Sequence, residues 1–148
     1  MTVILHTLCS LLSYVAFLIA FISALLFLAQ ERQLKRKHMG MLFHRLPPLG
    51  TLDRINFAAI GVGFGLLSLG VICGFVSSWL RFGSWWRWDP KELLTIAMWA
   101  AYLVLWIIRA RASLRGRKVA LLSILGFGLV LLTFLGVSRL VPSWHAYL

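Results

Sequence analysis

A chain of 148 residues that is 61% hydrophobic and 13% charged has too much apolar surface for one soluble core, which makes it an integral membrane protein. The net charge of +11 does not point to nucleic acid, because the basic residues collect in two loops between apolar runs and build no basic face on a soluble module. Cys9 and Cys73 lie inside apolar runs and are too few for a disulfide framework or a zinc site, so they read as small apolar residues.

Four runs are long and apolar enough to cross a bilayer as helices, which takes about 20 residues each. They cover residues 3–29, 55–80, 93–108 and 119–141, and the whole chain, 1–148, reads as a single domain. The N-terminus lacks the basic start and small-residue cleavage site of a secretory signal, so the first span is expected to stay in the mature protein. His6 stands near the start of that span. The loop that follows carries Arg32, Lys35, Arg36, Lys37, Arg45 and Arg54, with His38 and His44 as ordinary solvated polar residues. The second span holds Gly61, Gly63, Gly65, Gly70 and Gly74, a spacing suited to close helix packing, or less simply to the approach of a flat cofactor.

Between the second and third spans comes Phe82-Gly-Ser-Trp-Trp-Arg-Trp-Asp-Pro-Lys-Glu92, the most informative segment. Asp89 is suited to cap the third helix, with Pro90 as its first residue and Glu92 as reciprocal partner. Trp99 and Trp106 make the third span aromatic. A second basic loop follows, with Arg109, Arg111, Arg115, Arg117 and Lys118, and the last span ends with Arg139 and then His145.

Eleven basic residues therefore lie on one side, against only Arg81, Arg87, Lys91 and Arg139 on the other. Basic loops stay in the cytoplasm, so both termini and the Trp loop are expected outside, in the periplasm or its thylakoid equivalent. The fold expected is all-α, a four-helix up-down bundle whose first and last helices are possible neighbours.

That topology brings His6, the Trp loop and His145 to one membrane face. Two imidazoles on opposite faces of a porphyrin make a six-coordinate haem iron, so His6 and His145 are candidate axial ligands. Their plain alternative is interfacial polar residues at helix ends. Trp85, Trp86 and Trp88 offer flat aromatic surfaces beside Gly83, more than interfacial anchoring requires, although Trp is common at that depth. Arg81, Arg87, Lys91 and Arg139 are candidate partners for haem propionates. Arg139 is the most telling, because an ionisable residue near the end of an apolar span must snorkel or pair.

The segment from Gly83 to Glu92 resembles the tryptophan-rich WWD signature of haem-handling proteins of cytochrome c assembly, the CcsA/ResC type and more distantly the CcmC type. His6 followed by Ser13-Tyr14, Leu52-Asp53 leading to Ile60 and Gly63-Phe64, and Gly136 followed by His145 and Tyr147 resemble the rest of that family's core in order and spacing. The resemblance implies that His6 and His145 are the external ligands of haem b. It further implies that Trp85, Trp86, Trp88 and Asp89 belong to a platform from which haem passes to the Cys-x-x-Cys-His motif of an apocytochrome c. Phe82, Leu93 and Ser138 depart from the family pattern. Full-length relatives have additional N-terminal spans with buried histidines that receive haem. Those spans, or a ResB-like membrane partner with a large external domain, are expected to complete the machinery. The chain is thus read as an assembly factor rather than an enzyme in its own right, set in a bacterial inner membrane or a thylakoid. Two other readings stay open on the residues: a b-type electron-transfer membrane anchor, and a structural or regulatory subunit with an empty site.

Overall fold

The structure is a computed structural model and describes residues 2–37, 40–85, 88, 90–111 and 116–136. Helix α1 runs Thr2–Lys35, a short α2 covers Met41–Arg45, α3 runs Leu49–Phe82, α4 Pro90–Arg111 and α5 Arg117–Leu131. A π-helical turn, Leu132–Gly136, continues α5. Among the described residues four helices are long and apolar enough to cross a membrane, as the apolar runs predict.

The helices reach further than the apolar runs. At 1.5 Å per residue, the 34 residues of α1 and of α3 each extend about 51 Å, against roughly 30 Å of hydrocarbon. The excess stands at the basic end, where both helices continue through charged residues. Helix-forming side chains such as Glu31 and Lys35, an i,i+4 ion pair at 3.0 Å, carry α1 outward. Pro48 then sets the start of α3, its carbonyl accepting from the amides of Thr51 (2.8 Å) and Leu52 (3.1 Å).

The four long helices pack as a ring, α1 on α3, α3 on α4, α4 on α5 and α5 back on α1, each antiparallel to its neighbours. First and last spans are therefore neighbours. The diagonal helices meet through side chains at the centre. Phe17 of α1 stacks on Tyr102 of α4 with centroids 3.7 Å apart and planes 16° apart. Asn56 of α3 donates to the Ser123 hydroxyl of α5 at 3.1 Å and to the Ala20 carbonyl of α1 at 2.8 Å. Phe21 on Phe127 closes the α1–α5 seam at 4.6 Å.

Gly63 is what lets α1 and α3 close. A Cβ there would lie 2.6 Å from the Phe17 ring and 3.2 Å from Ala16 Cβ. Close packing of small residues is how membrane helices gain contact when lipid is as apolar as they are. Gly65 faces open space instead, and Gly61 lies against the Trp106 ring, so the glycines of α3 do not act as one stripe.

At the basic end, Arg109 of α4 donates to the Asp53 carboxylate of α3 and lies over the Phe57 ring at 5.3 Å. The other Asp53 oxygen accepts from the amide of Gly116, which opens α5 at a positive φ (78°) that favours glycine. This bracket ties the start of α5 and the end of α4 to α3. The opposite end of the bundle carries His6, the top of α3 and the π-helical turn.

Candidate functional site at the tryptophan-rich end

His6 projects from α1 onto α3. Its Nδ1 lies 2.6 Å from the carbonyl oxygen of Gly70. A carbonyl can only accept, so Nδ1 carries the proton and donates it. The remaining nitrogen, Nε2, is left with its lone pair. This is the arrangement that a metal-binding imidazole uses, one ring nitrogen held by a carbonyl and the other presented.

Beyond His6, α3 ends in a left-handed cap at Gly83 (φ 69°, ψ 8°), whose amide donates to the Trp79 carbonyl at 2.9 Å. Gly suits that conformation because a side chain would be strained there. The Ser78 hydroxyl, donating to the Ser84 carbonyl at 3.0 Å, ties the chain back on itself. The result is that Trp85 stacks on Trp79, centroids 5.4 Å apart and planes 22° apart. Trp79 and Trp85 remain 47% and 57% exposed, leaving ring surface available to a ligand. Trp88 is 75% exposed and holds φ 55°, a left-handed conformation that costs a non-glycine residue on the order of 1–3 kcal/mol. Strain of this kind concentrates at functional loops.

Gly74, beside the His6 ring, precedes Trp79 on the same helix by five residues, an axial rise of about 7.5 Å. The imidazole and the Trp79–Trp85 pair thus belong to one end of the bundle, within the reach of a porphyrin-sized ligand. Pro90 opens α4 as expected. His145, Trp86, Arg87, Asp89 and Arg139, the other candidates, lie outside the described residues, as does His38. Gly83 acts in the described geometry as a helix cap that aims the loop.

Three residues of this end carried little signal in the sequence. Trp79 has the right type but stands before the motif, and Ser78 and Gly70 are individually unremarkable in composition. Only the spacing of Gly70 and Gly74 against a histidine on another helix would have exposed the contact, and a single sequence does not give that pairing. The end of α5 is shaped by Thr133, whose hydroxyl donates to the Leu129 carbonyl at 2.9 Å within the π-helical turn, and by Phe134, edge-on to Tyr14 at 6.1 Å. Such turns recur at functional sites.

Fold and site together define a four-helix membrane protein that presents an oriented imidazole and exposed stacked indoles at one membrane face. A family model described as cytochrome C assembly protein matches residues 1–145. The chain belongs to that family. It is 38% identical over 97 residues to the cytochrome c biogenesis protein CcsA of Synechococcus elongatus, covering 66% of this chain and 30% of that protein. The CcsA proteins of Thermosynechococcus vestitus and Synechocystis are each 39% identical over 103 residues, covering 70% of this chain and 32% and 31% of theirs. The chain therefore spans about a third of the length of the relatives it matches. No solved structure matches it. Four helices long and apolar enough to cross a membrane, together with the cyanobacterial relatives, support a multi-pass protein of the inner or thylakoid membrane.

Proposed function

We propose that the chain binds haem b at the tryptophan-rich end of the bundle and presents it there for attachment to an apocytochrome c. The observation that carries this reading is the His6 ring, held through Nδ1 by the Gly70 carbonyl so that Nε2 is presented. Haem is the cargo, and it brings an iron with two axial positions and vinyl groups able to form thioethers. His6 supplies one imidazole and His145 the other. The indoles of Trp85, Trp86 and Trp88, with Trp79 behind them, stack on the porphyrin and limit water at its face. Arg87 and Arg139 pair with the propionates, and Asp89 caps α4 to hold the loop against them. The basic bias of the opposite end supports an external site with both termini outside.

Attachment asks for more than this site. Two apocytochrome thiols must be held at the vinyl edge, and a stable protein interface buries roughly 800 Å² per partner. The loop from Gly83 to Asp89 is only seven residues long. A ResB-like membrane partner with a large external domain docks the acceptor, and further spans load the haem.

The test is a reconstitution of the chain in lipid with reduced haem and an apocytochrome bearing Cys-x-x-Cys-His, with and without the partner. Covalent product is expected only when chain and partner are both present, and is lost with His6→Ala. Product that forms equally well without this chain would refute the delivery role.

A further inference from the structure

The glycines of α3 that face α1 do more than shorten the distance between two helices. Side chains on a helix lean toward its N-terminus and cover the turn before them, so a side chain at position 74 would lie across the carbonyl of residue 70. With Gly at 74 that carbonyl is open to the side. The His6 ring fills the opening: a Cβ on Gly74 would stand 3.1 Å from its Cε1 and 3.2 Å from its Nδ1. Gly70 itself lets α1 come close enough, since a Cβ there would meet Ser10 Oγ at 3.0 Å and the Ser10 amide nitrogen at 3.6 Å. The carbonyl has a second lone pair beyond the one used along the helix, and His6 Nδ1 takes it at 2.6 Å.

We infer that Gly70 and Gly74 form a notch in α3 that fixes the tautomer and direction of His6, making both of them positioning residues for the imidazole. The inference rests on the reading of His6 as a haem ligand only for its consequence, not for its geometry. Without the notch a histidine at this depth would be free to turn and to carry its proton on Nε2, the form free imidazole side chains prefer, which withdraws the Nε2 lone pair from iron. Loss of such an outer partner typically weakens metal binding 10- to 100-fold. Gly65, one side chain of the same type on the same helix, has nothing within 4 Å and serves as the internal control.

The experiment uses the full chain in lipid nanodiscs with ¹⁵N-labelled histidine. His6 is assigned among the four histidines by comparison with His6→Gln. Without haem, the wild type should show His6 as the Nδ1–H tautomer. Gly74→Val should shift it to the Nε2–H form or to a mixture, Gly74→Ala should do so partly, and Gly65→Val should leave it unchanged. With haem added, Gly74→Val should lower affinity roughly tenfold and weaken the low-spin bands, both restored in part by external imidazole. An Nδ1–H signal that persists in Gly74→Val overturns the inference. Should Gly74→Val fail to fold, the Gly74→Ala signal decides in the same way. A tautomer that moves while haem affinity stays at the wild-type value leaves the notch standing and removes His6 from the ligand set.

Discussion

Adding one methyl group at Gly63 should be the most damaging alanine substitution among the glycines of α3. The new Cβ would lie 2.6 and 2.7 Å from two atoms of the Phe17 ring, so the ring must retreat about 0.8 Å to reach an ordinary 3.4 Å contact. Phe17 has nowhere to go: it is 0% exposed and already 3.7 Å from the Tyr102 ring behind it. Ala16 Cβ, at 3.2 Å, blocks the alternative of sliding α1 along its axis. Overpacking of a filled core costs about 1–3 kcal/mol. Alanine recovers about 1 kcal/mol through helix propensity, leaving Gly63→Ala destabilised by up to about 2 kcal/mol and about 1–3 kcal/mol less stable than an unclashed Gly→Ala change. Gly65→Ala gains the same propensity without a clash and should be neutral or up to about 1 kcal/mol more stable. Reversible unfolding in mixed micelles, followed by tryptophan fluorescence, measures both. Combining Gly63→Ala with Phe17→Leu should recover part of the loss, because the smaller side chain relieves the contact. Equal stability of Gly63→Ala and Gly65→Ala would refute the packing of α1 on α3 described above.

Three further outcomes follow from the same structure. Asp53→Asn takes the carboxylate from Arg109, whose side chain is only 8% exposed, and should cost about 3 kcal/mol in the same unfolding assay, more than a surface ion pair would. Trp79→Ala removes the ring on which Trp85 stacks, so it should weaken haem retention about 2- to 12-fold, matching 0.5–1.5 kcal/mol of lost stacking, while Trp79→Phe does less harm; titration with haem in nanodiscs reads it. A single cysteine at Thr2, in a chain with Cys9 and Cys73 changed to Ser, should react with an impermeant thiol reagent on intact spheroplasts; reaction only after lysis would reject an external N-terminus.

The spans were legible because a membrane helix must be apolar along its whole length, and that requirement leaves long runs such as residues 55–80 interrupted by little else. The Trp loop stood out for the opposite reason: charges and indoles crowd between two such runs. Helix extents beyond the bilayer were harder to read. Residues 30–35 and 49–54 are polar enough to pass for loop, yet their propensity and the Glu31–Lys35 pair keep them helical. The five glycines from Gly61 to Gly74 looked alike in sequence, and only the pairing of helices separates Gly63 against Phe17, Gly74 against His6 and Gly65 against nothing. Likewise Asp53 and Arg109 are 56 residues apart, and neither announces the other until α3 and α4 are laid side by side. Contacts across a bundle depend on which faces meet, and an apolar helix carries little polar patterning to say so.

The central claim is that His6 presents Nε2 to haem iron at the tryptophan-rich end. The most direct measurement is the visible spectrum of purified His6→Gly loaded with haem, before and after adding imidazole, beside the wild type. The account predicts low-spin bands in the wild type, their loss in the variant as one axial position opens, and their return with imidazole filling the space the side chain left. A His6→Gly protein that keeps the wild-type low-spin spectrum without imidazole would contradict it.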